Sequence, residues 1–87
     1  MAKRISIRKR LVEQTGDENL LFADGFDSAI MGVELGPVNR VAYDASKVIK
    51  ALMKQGMDYE QAYEFYEFNI RDAYVGERTP IFYMPIE

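Results

Sequence analysis

The chain contains no cysteine and no histidine, and these two absences remove much familiar chemistry. Without thiols there is neither a disulfide framework nor a thiolate nucleophile, which fits a reducing compartment. Zinc sites built from Cys and His are excluded, as are triads with a histidine base. An enzyme on this chain would rest on carboxylates, lysine or tyrosine alone. No apolar run approaches the roughly 18 residues of a membrane span. Ile5 and Ile7 are interrupted by charge instead of leading into the apolar core of a signal peptide. Internal repeats and low-complexity tracts are lacking too. The expectation is a cytoplasmic protein with no cofactor and no membrane association.

What is present is short, apolar and unevenly charged. Eighty-seven residues make one domain, 1–87. At 48% hydrophobic and 13% aromatic the chain can build a modest core and is too apolar for a disordered tail. The formal net charge of −3 hides an asymmetry, because Lys3, Arg4, Arg8, Lys9 and Arg10 all fall in the first ten residues. From Leu11 onward six basic side chains face fourteen acidic ones. So acidic a body is a poor match for phosphate backbones. Nucleic acid is therefore expected only through the basic N-terminal segment, residues 1–16, and such a cluster is more commonly a solvated tail.

The pattern is organised around Gly56 to Gly76, GMDYEQAYEFYEFNIRDAYVG. Asp58 is an N-cap candidate with Gln61 three residues on, where a capping box places it. Gly76 stands where a left-handed residue ends a helix. At about 100° per residue, Tyr59, Ala62, Tyr63, Tyr66, Ile70, Ala73 and Tyr74 share one face, which is expected to meet the core. Glu60, Glu64, Glu67 and Arg71 share the other. Phe65 and Phe68 break this arrangement and lie in a second strip with Gln61, Asp72 and Val75.

Upstream, Ala29 to Leu35 and Arg40 to Tyr43 read as strands joined by the turn Gly36-Pro37-Val38-Asn39. Gly32 marks a bulge or a close backbone approach. Val41 and Tyr43 on one face imply a sheet buried on one side. A helix capped by Asp44 or Ser46 runs to about Gln55, with Ala45, Val48, Ile49, Leu52 and Met53 inward and Lys47, Lys50 and Lys54 outward. Ile81 to Met84 reads as a terminal strand, flanked by Pro80 and Pro85 as suits a sheet edge. Residues 1–15 stay open between a strand and a short helix. The expected fold is α+β: a small antiparallel sheet, hairpin plus C-terminal strand, with two helices covering one face.

Two groups bear on function. Asp24 and Asp27, three apart across Gly25, are the candidates for a divalent metal or paired-carboxylate chemistry, with Glu34 or Asp44 nearby. The same motif serves as an Asx-turn and cap, which is its commoner use. Phe65 and Phe68 are the second group. Either the N-terminal segment with Ile5, Ile7 and Leu11 folds over them, or they anchor an interface. Glu60, Glu64 and Glu67 around them suit a basic partner, and Lys47, Lys50 and Lys54 offer a complementary patch for a second copy. Asn69, at the border of the tyrosine stripe, is expected as a structural latch if buried. The tyrosines read as core, since stacking platforms for nucleic acid need flanking positive charge.

The segments Ala23-Asp24-Gly25-Phe26-Asp27 with Ala29-Ile30 and Gly32-Val33, then Val41-Ala42-Tyr43-Asp44, begin a longer pattern. It continues through Gly56-Met57, Tyr59-Glu60 and Ala62 to Glu67-Phe68-Asn69, and closes with Ala73-Tyr74-Val75-Gly76-Glu77 and Thr79-Pro80-Ile81-Phe82. Over about residues 20 to 83 this resembles a family of small bacteriophage-encoded proteins; the N-terminal arm lies outside it. The resemblance implies an owner rather than a mechanism, and a place in the cytoplasm of the host bacterium. By analogy with other small phage proteins it implies binding to a host factor or defence system, as inhibitor or modulator. The expected function is thus non-catalytic binding of a host protein through Phe65 and Phe68, with Glu60, Glu64 and Glu67 steering; a homodimer is a further expected partner state. The rivals are a carboxylate-dependent metal enzyme or nuclease at Asp24 and Asp27, and nucleic-acid binding by the basic segment.

Overall fold

Ser6 settles the N-terminal segment as a helix. Its side chain accepts the Lys9 N–H and caps α1 (Ile7–Thr15), which Gly16 ends with φ 71° and a bond to the Val12 carbonyl. The computed structural model describes residues 6–86, so Ile5 lies outside the described residues. Leu11 is buried in the core, and Ile7 and Val12 pack against it.

After a single 3-10 turn at Asp27–Ala29, β1 (Ile30–Glu34) and β2 (Arg40–Asp44) form an antiparallel hairpin. Val33 lies opposite Val41 and Ile30 opposite Tyr43, and the register shifts between Ile30 and Gly32, next to the glycine expected to mark a bulge. On the other side of β2 lies β3 (Ile81–Tyr83), giving the order β1-β2-β3. β3 pairs in parallel, with Tyr43 opposite Phe82. The α+β class holds, but the sheet is mixed where an antiparallel one was expected. The cause is connectivity. A parallel neighbour needs a connection that carries the chain back to the end where the first strand began, and residues 45–80, two helices and the segment after them, supply it.

The first of these, α2 (Ala45–Lys54), starts without a loop because Asp44 both ends the strand and caps the helix. Its Oδ1 accepts the Ser46 hydroxyl at 2.6 Å and the Ser46 and Lys47 N–H groups at 2.9 and 3.3 Å. These bonds, the hydroxyl foremost, hold the Asp44 carboxyl below the usual range. Gly56, at φ 108°, makes the turn into α3 (Tyr59–Phe65), which opens on the full Asp58–Gln61 capping box. α3 continues as a π-helical stretch, Tyr66–Arg71, and stops at Asp72. The helix therefore ends short of Gly76, which instead sits in a turn where its carbonyl accepts the Thr79 N–H and hydroxyl.

Val41, Tyr43, Val48 and Leu52 are fully buried at the centre. Tyr43 stacks on its cross-strand neighbour Phe82 at 5.5 Å, and Tyr66 meets Phe82 edge-on at 5.7 Å. The expected inward faces need two corrections. On α2, Ala45, Val48, Ile49 and Leu52 are buried but Met53 is exposed. On α3 and its continuation, Ala62 and Tyr66 are buried and Ile70 half-buried, whereas Tyr59, Tyr63, Ala73 and Tyr74 are exposed. Only a narrow strip of this short helix abuts the core, and Tyr74 lies beyond its end. Tyr59 and Tyr63 flank the strip and meet each other at 6.1 Å.

This difference between tyrosines is measurable. Tyr66→Ala should cost about 3–5 kcal/mol in urea denaturation, as for other aromatic truncations in cores, and Tyr63→Ala no more than about 0.5 kcal/mol. Equal losses for the two would place the core on the wrong face of α3.

Candidate functional site

The π-helical stretch governs what this side of the molecule shows to solvent. Its wider turn, bonded at i→i+5, keeps Tyr66 and Ile70 toward the core with Phe68 between them pointing away. Phe68 is 80% exposed and Phe65 40%. Together with Met57, Gln61, Glu64 and Asn69 they line an open concavity of about 450 Å³. Ile7 and Leu11, expected as part of a covering over this pair, are instead committed to the core, where α1 packs on β1. Asn69 is exposed, so the latch expected of a buried amide does not form. It borders a second, apolar recess of about 240 Å³, whose walls include Phe22, Ile70, Val75 and Phe82.

The three glutamates expected around the phenylalanines are not equivalent. Glu64 lines the concavity, and Glu60 is exposed one turn before it. Glu67 accepts from Arg71 Nη1 through both oxygens, at 2.9 and 2.7 Å. The Arg71 guanidinium offsets part of its charge, which leaves Glu67 less to offer a partner than Glu60 or Glu64. Glu67 also pushes the Tyr63 phenol pKa upward by charge repulsion.

Asp24 and Asp27 do come together, around a cation that the chain itself supplies. Arg8 Nε donates to both oxygens of Asp27 at 2.9 Å, and Nη2 reaches Asp24 Oδ1 at 3.2 Å. The guanidinium lies 5.0 Å above the Phe22 ring. Its pKa is raised, chiefly by the bond to Asp27. Asp44, expected as a third ligand, caps α2. Among the described residues no group of three or more acidic side chains is placed to hold a metal ion.

One polar centre escapes the sequence pattern altogether. Asp17 Oδ2 accepts from Arg78 Nη1 at 2.7 Å and Asn39 Nδ2 at 3.1 Å, while Oδ1 accepts the Asn19 N–H at 2.9 Å. The loop after α1, the hairpin turn and the segment before β3 are thereby tied at one carboxylate. Arg40 Nε adds a bond to the Thr79 carbonyl at 2.7 Å. The Arg78 contact, ahead of those to Asn19 and Asn39, lowers the Asp17 pKa. A polar residue after a helix-ending glycine is visible in sequence; its partner 61 residues away is not.

No protein-family model, curated protein or solved structure matches the chain.

Two outcomes follow from this geometry. Because the folded Asp17 pKa is depressed, its contribution to stability is complete above the ordinary aspartate value, about 3.9, and is lost as pH falls through the folded value. Urea denaturation between neutral pH and about pH 2 should therefore show a shallower acid loss in Asp17→Asn than in wild type; identical slopes would show that the contact carries no linkage. Calorimetry with Mg²⁺, Mn²⁺ or Ca²⁺ at millimolar concentration should give no binding heat in wild type, since Arg8 holds both carboxylates. Heat that is lost on Asp24→Asn/Asp27→Asn substitution would restore the metal reading.

Proposed function

We propose that this chain works by binding another protein through the Phe65–Phe68 strip, without catalysis of its own, as a small phage protein that inhibits or modulates a host factor in the bacterial cytoplasm. The observation that carries the reading is Phe68, a phenylalanine 80% exposed beside a second one. Covering such a side chain is worth about 1.5–3 kcal/mol, and aromatic anchors at the centre of a patch supply much of the energy of known interfaces. Glu60 and Glu64 beside it favour a basic partner and disfavour acidic ones. The phage setting is supported by the motif resemblance over residues 20 to 83.

The rival readings have less to stand on. A metal enzyme at Asp24 and Asp27 competes with the Arg8 guanidinium for the same oxygens. Nucleic-acid binding by the basic segment has to do without Arg8, which is committed to that clamp. The deciding experiment is a pull-down from bacterial lysate with wild type and a Phe65→Ala/Phe68→Ala variant, both checked for folding by circular dichroism. Wild type should retain specific proteins that the double variant loses. Recovery of the same proteins by both baits would end the anchor assignment.

A further inference from the structure

Asn69 stands on the border of two hollows and lines both. On one side is the open concavity that holds Glu64, Phe65 and Phe68. On the other is the recess walled by Phe22, Ile70, Ala73, Val75 and Phe82, where Asn69 supplies the only polar side chain among the described lining residues. The two hollows therefore adjoin. The recess is built in advance, because Phe82 is held by Tyr43 at 5.5 Å and by the edge of Tyr66 at 5.7 Å. Phe22 lies under the Arg8 guanidinium, 5.0 Å from its ring centre. Filling a preformed hollow costs little ordering. Its volume of about 240 Å³ falls below the roughly 300–1,000 Å³ of small-molecule sites, yet exceeds the roughly 150 Å³ that takes up benzene. It has room for one large apolar side chain.

We propose that the partner of the phenylalanine strip lays one extended segment across both hollows, with a large apolar side chain against Phe82 in the recess and a lysine or arginine against Glu64. This rests on the protein-binding reading of that strip and adds the chemistry of the segment it takes. Charge selects the cation at one end. Glu64 lines the concavity, Glu60 is exposed one turn before it, and neither has an ion-pair partner among the described residues. The other end is apolar, and a charged side chain seated there is stripped of water without a counter-ion. From Glu64 to Ile70 the helix rises no more than about 9 Å, which an extended chain covers in about three residues. At the crossing, the exposed Asn69 amide has a donor and an acceptor for backbone groups. Those groups are free in an extended segment and already paired in a helical one. Phe65 and Phe68, in the concavity with Glu64, are covered by the same passage.

The probe is a library of random dodecapeptides selected on the folded full chain. The tightest selected peptide, titrated by fluorescence anisotropy, should carry a large apolar residue two or three places from a lysine or arginine. Glu64→Lys should weaken its binding about tenfold or more, since like charges then meet. Ala73→Phe should do the same by filling the recess. Ala73 is exposed, so the added ring leaves the core alone, and an unchanged melting temperature checks this. Val75→Asp, also at an exposed position, sets a charge on the recess wall and should act in the same direction. Peptides that need Phe65 and Phe68 but tolerate Ala73→Phe and Val75→Asp, or that lack a basic residue, overturn the two-hollow inference and leave the broader reading standing. Binding lost in Ala73→Phe and Glu64→Lys but kept in Phe65→Ala/Phe68→Ala separates the hollows from the strip and ends both. Failure to select any peptide overturns the inference, and the lysate pull-down then judges the broader reading by itself.

Discussion

Tyr43 is fully buried in the middle strand, and three other parts of the chain take their positions from it. Its ring stacks on Phe82 and, through Phe82, receives the edge of Tyr66. β3 and the start of the π-helical stretch are fixed by that aromatic group. Its hydroxyl oxygen accepts the Ala23 N–H at 2.7 Å. A buried phenol without a partner would be costly, and this bond satisfies it while holding the chain just before the Asp24–Gly25 turn. Burial keeps the phenol neutral by pushing its pKa upward. From that turn, Asp24 and Asp27 reach Arg8 and so attach α1. One side chain thus relates the sheet to α3 in one direction and to α1 in the other.

The features legible in sequence are those with a local physical cause. Asp44 and the Asp58–Gln61 pair announce helix starts because a cap needs only residues three apart. The hairpin is readable because Gly36-Pro37 makes a turn and Val41 and Tyr43 fall two apart on one face of the second strand. Phe65 and Phe68 are visible for the opposite reason: they disagree with the surrounding helical stripe. The Glu67–Arg71 pair has the spacing of an ordinary helical ion pair, so the engagement of Glu67 by Arg71 was within reach of the sequence.

The rest depends on encounters between distant residues. The direction of β3 is set by the helical crossover and leaves no trace in a strand of three residues. The tyrosine stripe misleads because period alone says which residues share a face, not how wide a face the neighbours will cover. A π-helical turn has no compositional signal to compete with the 3.6-residue pattern. The Asp17–Arg78 contact and the Arg8 clamp join residues 61 and 19 apart, and no window used to read periodicity spans such distances. At Asp24 and Asp27 the chain brings up a cation of its own, Arg8, a pairing that turn chemistry alone does not disclose.

The parallel seating of β3 has a consequence for biogenesis. Synthesis delivers the hairpin, α2 and α3 in order, and each can begin to form as it emerges, since their first contacts are local. Phe82 comes after all of them, yet its ring is the shared partner of Tyr43 and Tyr66. Until the ribosome has released that residue, two large aromatic side chains lack their common neighbour and the nascent chain exposes the surface they would seal. Closure therefore waits for β3, and the interval before it is when the hairpin and helices are most open to proteases and to misplaced strand pairing.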